Sequence, residues 1–504
     1  MCGFVCLWNI DDAALARAMI DRIAHRGPDA TEIVRGRGAP VIMAHARLAI
    51  IGPEDGAQPI WQNDDLLVVN GEIYNHADLR AILGESAFET ASDSEAILHL
   101  FRSGVLRWIS RLDGMFAFVL ASRSRIIAAR DPLGIKPLYL ARIGAGLAFA
   151  SELKAFDGVA VDAIEAIPPG GLFDSRDGPR RWARVPQGAA EAEPGLDVAA
   201  TAAELRLVLE EAVTKWMVAD VEVGAFLSGG LDSSAIAALA TRAAPRRLKT
   251  FAVGAAGSAD LAAARRVAAH IGSDHHELAF TAEEVAGVLD HVIWHLESAD
   301  VDLVRSAIPT HFAAELARAH VKAVLTGEGA DELFAGYAYH HGYVDRPRAL
   351  ADELTRSLNA MHNINLQRVD RITMGVSLEA RTPFLDRDLI DFAQSIPATL
   401  KLCRTDPAAA ESTGATTEKW ILRKAVADLL PADLVWRKKA QFDEGSGTLA
   451  LLATALQQIT GSAAPLDRAA EAALYEAILR RRYRNPERIL AAAGAWEAGR
   501  IAAA

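Results

Sequence analysis

Up to about residue 175 the chain runs in short apolar stretches broken by Gly, Pro, Asn and Asp: GFVCLWN, VIMAHARLAII, DLLVVNGEIYN, GMFAFVLASRSRIIAARD and LYLARIGAGLAFASE. Such stretches predict strands and hairpins. With helices expected near residues 11–24 and 93–107, this half reads as antiparallel sheet flanked by helices. The stretch Asp174–Asp197 is rich in Pro, Gly, Asp and Arg and reads as a linker. Beyond it the grammar changes to a strand followed by a long helix, repeated: VEVGAFL into SGGLDSSAIAALATRAA, LKTFAVG into DLAAARRVAAHIG, VKAVLTG into EGADELFAGY. That alternation predicts a parallel α/β sheet. From about residue 350 alanine-rich amphipathic segments predict helices packed around it. The expected division is 2–180, a connection over 181–200, and 201–504.

Composition narrows the class. A chain of 504 residues exceeds what one core normally serves. A net charge of −12 argues against a nucleic-acid backbone as partner, because such binding needs clustered Lys and Arg. Three cysteines, Cys2, Cys6 and Cys403, form no CxxC pair, which excludes a disulfide framework and a cysteine zinc site and suits a reducing compartment. The first residues lack the pattern of a signal peptide, and no apolar run approaches a membrane span. A cytoplasmic protein is expected.

Three stretches carry candidate chemistry. Cys2 directly follows Met1; removal of Met1 would leave a thiol and an α-amine on one residue, with pKa values near ~8.5 and ~8, a nucleophile and its own base. A small hydrophobe in a first strand is the plainer alternative. In AFLSGGLDSS, residues 225–234, a strand enters a two-glycine turn and then a helix. Glycines let backbone approach a phosphate, while hydroxyls and helix N–H groups donate to it. TGEGADE, residues 326–332, holds the same place after another strand, so Asp232 and Asp331 are expected to face one another across one crevice at the carboxyl edge of the sheet. Two carboxylates and phosphate oxygens would suit Mg²⁺; helix capping is the alternative for either Asp. In WRKKAQF, 436–442, Lys439 could reach a phosphate or belong to a surface patch. The pairs His275–His276 and His340–His341 lack metal-ligand spacing.

With these stretches in view, nearly the whole chain resembles the glutamine-hydrolysing asparagine synthetases. The motifs are MCGF, HRGPD (25–29), NGEIYN (70–75), SDSE (92–95), RDPLGIKPLY (130–139), SELKA (151–155), SGGLDS and GEGADE. The resemblance implies an N-terminal αββα amidotransferase sandwich of the N-terminal-nucleophile class and a C-terminal α/β ATP-pyrophosphatase domain with added helices. By position it makes Cys2 the nucleophile on the glutamine amide, with an oxyanion hole from the Asn70 side chain and the Gly71 N–H. Each such donor contributes roughly 3 kcal/mol to a transition state. Arg47, Leu48, Ile51, Glu72 and Asp93 join Asn70 and Gly71 in glutamine binding, with Arg47 on the α-carboxylate and Glu72 and Asp93 at the α-amine.

ATP falls on Leu227, Ser228, Gly229, Gly230, Asp232, Ser233, Val253, Thr326 and Gly327, and Mg²⁺ on Asp232 and Asp331. Glu328 and Lys439 take the family's catalytic glutamate and lysine. GVSLEARTPFLD (375–386) and EKWILRK (418–424) are further family segments, expected to shape the acceptor pocket or to serve structure alone. The implied reaction makes asparagine from aspartate, ATP and glutamine through an acyl adenylate, with ammonia passing between the sites. A homodimer is left open. Ser298 and Leu261 depart from the family pattern near the expected crevice, which leaves open an amidotransferase acting on another carboxylate, or a glutamine and ATP sensor.

Overall fold

A computed structural model describes residues 2–407, 409–438 and 445–493. The first half stacks two six-stranded antiparallel sheets. One runs Ile164–Ala166, Tyr139–Ile143, Gly146–Ala150, Gly3–Trp8, Val41–Arg47, Ala30–Arg35. The other runs Gly178–Arg181, Gly171–Asp174, Arg125–Arg130, Gly114–Ser122, Asp65–Ile73, Ile60–Gln62. Side chains alternate across each strand. Phe4, Cys6 and Trp8 therefore enter the layer between the sheets with Val68, Val119 and Phe149, whereas Val5 and Leu7 pack outward with Met19 and Ile20 of helix Ala13–Asp21. Leu67 and Val69 pack outward on the second sheet with Ile97 and Leu98 of helix Glu95–Arg102. Both faces are covered, so the strands read as continuous apolar runs. The order of layers is αββα.

The second half is built on a parallel sheet ordered Asp274–Ala279, Lys249–Gly254, Val223–Phe226, Ala323–Leu325, Glu379–Arg381. Its chain leaves the central strand toward one edge and returns to build toward the other. The loops after Val223–Phe226 and Ala323–Leu325 open at that switch of direction, where open α/β sheets bind ligands. No helix among the described residues is long and apolar enough to cross a membrane.

Local details depart from the sequence reading. The N-terminal helices span Ala13–Asp21 and Glu95–Arg102, and a further helix, His76–Leu83, follows the NGEIYN strand. The hairpin Gly171–Asp174 with Gly178–Arg181 joins the second sheet, so the stretch that begins at Asp174 starts as strand. Between Arg181 and Val198, all among the described residues, there is no helix or strand, and Asp197 caps the next helix through the Ala199 and Ala200 N–H groups.

The two halves share one core: residues of the first sheet's outer face cluster with Leu289, Val292 and Ile308 of helices Ala282–Leu296 and Val301–Arg318. A buried ionic chain crosses the same seam. Arg26, from HRGPD, donates to Glu152 at 2.6 Å and Asp370 at 2.8 Å. Lys154 meets Glu152 at 2.6 Å and Glu297 at 3.0 Å, and Arg371 meets Glu297 at 2.8 Å. Burial alone would raise these acids, yet Lys154 foremost holds Glu152 well below the usual carboxylate range, and Arg26 and Lys136 lower Asp370.

Depressed carboxylates give stability that is complete above their ordinary pKa values near ~4 and is lost as pH falls through the depressed ones. Acid unfolding is therefore expected to steepen below about pH 4. Asp370→Asn removes one of the two carboxylates that hold the buried Arg26 cation and should cost roughly 3 kcal/mol at neutral pH while flattening that acid dependence. Urea unfolding of both proteins across pH 3–7 measures both effects.

Candidate functional site

Two sites lie on either side of the seam. In the first, Cys2 is 6 % exposed at the start of its strand. Its Sγ lies 3.9 Å from the Leu48 carbonyl, its backbone N–H donates to Asn70 Oδ1 at 3.3 Å, and Arg26 Nε donates to its carbonyl at 3.0 Å. Burial pushes the thiol up, so it must give up its proton to a neighbouring base in order to react. Asn70 Nδ2 is buried and has no hydrogen-bond partner among the described residues. An unspent donor of this kind is what an oxyanion requires. Gly71 follows with φ +151°, and a Cβ there would lie 2.0 Å from the Met115 carbonyl oxygen, so only glycine fits the strand crossing.

Asp93 accepts the Ile73 N–H at 2.6 Å, and Glu72 is buried, its Oε2 lacking a hydrogen-bond partner among the described residues. Leu48 and Ile51 are buried beside them. Arg47, expected on the glutamine carboxylate, donates to the Gly52 and Pro53 carbonyls at 2.5 and 3.0 Å and braces that loop.

The second site is a cavity of about 600 Å³ at the sheet's switch point. Leu227, Ser228, Gly229, Gly230, Asp232, Ser233 and Val253 line one side; Thr326, Gly327, Glu328 and Asp331 line the other. Helix Leu231–Ala243 begins at Gly230 with no side-chain cap, which leaves its first N–H groups for an anion. Ser233 Oγ folds back to the Ser228 N–H at 3.1 Å and shapes the turn. The two loops touch: a Cβ on Gly327 would lie 2.9 Å from Asp232 Cβ.

Sequence reasoning does not single out Lys419. It lies in EKWILRK and stands between the two carboxylates, with Nζ 2.5 Å from Asp232 and 2.6 Å from Asp331. It is 1 % exposed and holds a left-handed φ of +55°, a conformation costly for lysine and kept where surroundings enforce it. Burial disfavours its charge, but the two acids more than compensate and raise its pKa. The pair predicted to hold a metal thus already shares an ammonium. Asp232 Oδ1 remains buried without a partner among the described residues. Glu328 is ion-paired with Arg368, whose Nη1 lies 3.4 Å from Thr310 Oγ1 and whose Nε is buried and likewise unpartnered. Lys439 lies outside the described residues.

Residues 375–386 do not line this cavity. Glu379–Arg381 is the edge strand of the parallel sheet, and its Arg381 side chain reaches the first site, where Nη2 stands 3.9 Å from Glu72 Oε2. Ser298 and Leu261 are both buried and neither lines the cavity, although Asp260, next to Leu261, does.

Residues 204–352 and 343–501 match the asparagine synthase family model, and residues 1–166 match that of the glutamine amidotransferase domain. The chain belongs to the asparagine synthase family. Among curated relatives, asparagine synthetase [glutamine-hydrolyzing] 2 of Oryza sativa subsp. japonica is 37 % identical over 472 residues, covering 89 % of this chain and 78 % of that protein. The Asparagus officinalis asparagine synthetase [glutamine-hydrolyzing] is 38 % identical over 475 residues with the same coverage. Family segment EKWILRK acquires a concrete part here, since it delivers Lys419 to the nucleotide-type loop pair.

Lys419→Met leaves two acids facing one another without their cation. ATP–pyrophosphate exchange is expected to fall by about a hundredfold or more, as for loss of one preorganised electrostatic group. Glutamine hydrolysis by the same preparation should change far less.

Proposed function

We propose that the chain synthesises asparagine from aspartate, ATP and glutamine, with residues 2–180 hydrolysing glutamine, 181–200 connecting, and 201–504 activating the acceptor. The observation that carries this reading is the pairing, in one molecule, of a buried N-terminal-type cysteine beside an unspent Asn70 amide with the SGGLDS and GEGADE loops closed on one cavity.

In the first site the Cys2 thiol passes its proton to the α-amine exposed when Met1 is removed, and sulfur attacks the glutamine amide carbon. Asn70 Nδ2 and the Gly71 N–H receive the oxyanion. Its collapse expels ammonia and leaves a thioester, which water hydrolyses to glutamate. Glu72 and Asp93 accept the substrate ammonium. Arg47 clamps the α-carboxylate, as a guanidinium fork suits.

In the second site the Ser228–Ser233 turn and the helix start hold the triphosphate, with Leu227, Val253, Thr326 and Gly327 around the nucleoside. A carboxylate oxygen of aspartate attacks the α-phosphorus, pyrophosphate departs, and ammonia then displaces AMP from the acyl adenylate. Glu328 and Lys439 serve these steps. Lys419 offsets negative charge between the two loops. Asp232, with an open buried oxygen, and Asp331 are hard donors that fit a divalent cation. Mg²⁺ held there would neutralise charge on the departing pyrophosphate. A homodimer and a cytoplasmic location complete the proposal.

Amide-labelled glutamine with aspartate and ATP should yield labelled asparagine, AMP and pyrophosphate in equal amounts. AMP and pyrophosphate formation that needs a different acceptor would replace aspartate in this reading. Cys2→Ala should abolish glutamine-dependent synthesis and retain synthesis from ammonium salts, followed by amino-acid analysis. Loss of both activities in a folded variant would overturn the division of labour.

A further inference from the structure

Arg381 belongs to the second half, yet its side chain ends in the first site. Its guanidinium is fully buried. Nε donates to Glu379 at 2.5 Å, while Nη1 donates to the Trp216 and Val218 carbonyls at 2.8 and 2.7 Å, filling the open carbonyl end of helix Val198–Trp216. Among the described residues Nη2 has no hydrogen-bond partner and faces Glu72 Oε2, which also has none, across 3.9 Å. Buried polar atoms left open in pairs are where a water, an ion or a polar ligand group is received.

The groups packed around Glu72 divide by sign. Burial pushes its carboxyl well above the ordinary range; Glu379 from the edge strand and Asp93 from the SDSE loop push the same way, and Arg381 opposes them. Tyr74 lies on Glu72's own chain segment, and Arg381 sits 5.6 Å over its ring. Within this set Arg381 is the side-chain cation that favours an anionic Glu72. The turn it grips also reaches the first half. Beyond Val218, Asp220 accepts the Gly52 N–H at 2.8 Å and its own N–H donates to the Ile50 carbonyl at 3.1 Å. That is the loop braced by Arg47.

We infer that Arg381 is a positioning residue for glutamine: the synthetase half's edge strand supplies the guanidinium that keeps Glu72 and the 50–52 loop in binding form. The inference rests on the proposed role of Glu72 as a ligand of the glutamine ammonium. It also makes the glutamine site incomplete without the second half. The backbone carbonyl of Arg381 accepts the Thr326 N–H at 2.8 Å, so the same strand that serves glutamine holds the first residue of the TGEGADE loop.

The test is a double-mutant cycle on the full chain with Arg381→Met, Glu72→Gln and both together. KM and kcat for glutamine hydrolysis are measured together with ammonium-dependent synthesis. Arg381→Met is expected to raise the glutamine KM at least tenfold with kcat within threefold, Glu72→Gln to raise it at least as much, and the double variant to match Glu72→Gln within twofold. Arg381→Lys should recover most of the affinity, and the cycle is run with lysine should the methionine variant not fold; a KM rise of at least threefold, again absent on top of Glu72→Gln, is then expected. Multiplying effects, an unchanged KM in the Arg381 variants, or a parallel loss of ammonium-dependent synthesis that lysine does not restore would overturn the inference. An unchanged KM in Glu72→Gln alone would instead overturn the assignment of Glu72.

Discussion

The guanidinium of Arg26 is the point on which both halves depend. It is fully buried, holds the Cys2 carbonyl, and spends its remaining donors on Glu152 of its own half and Asp370 of the other. A cation taken out of water this way is tolerable only when its partners are fixed. The nucleophile's backbone, the SELKA turn and helix Asn365–Met374 are therefore held in one arrangement. That helix also carries Arg368, which pairs with Glu328 in the nucleotide-type cavity. One helix thus bears on both sites, through Asp370 on one side and Arg368 on the other.

Charge is handled alike at the second site. Asp232 and Asp331 come from loops that the sheet's switch of direction brings together, and Lys419 stands between them. Without a shared cation the two acids would repel across a partly desolvated gap. The left-handed backbone of Lys419 is the local cost of bringing it there. A polyphosphate with its metal brings a different balance of charge to the same atoms, in a site where one ammonium already offsets part of the charge of its two acids.

Much of this is legible along the chain. The short apolar runs GFVCLW and DLLVVN and the repeated strand-to-helix grammar after residue 220 reflect local rules, and the structure has the layers they imply. The SGGLDS and TGEGADE loops line one cavity because each follows a parallel strand, a relation that connectivity carries. What is not legible is also instructive. HRGPD and SELKA are legible as amidotransferase segments, while the part their Arg26, Glu152 and Lys154 side chains play in the seam is not. Residues 375–386, expected at the acceptor pocket or in a structural role, supply the edge strand of the parallel sheet, and from it Arg381 reaches the glutamine-type site.

The sequence by itself determined the layered halves, the cysteine at the chain start and the two glycine turns, because strand alternation, turn chemistry and helix starts act over a few residues. Only the tertiary structure decided that Lys419 lies between Asp232 and Asp331 and that Arg381 faces Glu72. Those pairs are separated by 88 to 309 positions along the chain. What brings them together is desolvation: a buried charge must find an opposite one, and which one it finds depends on how the whole sheet and its helices pack.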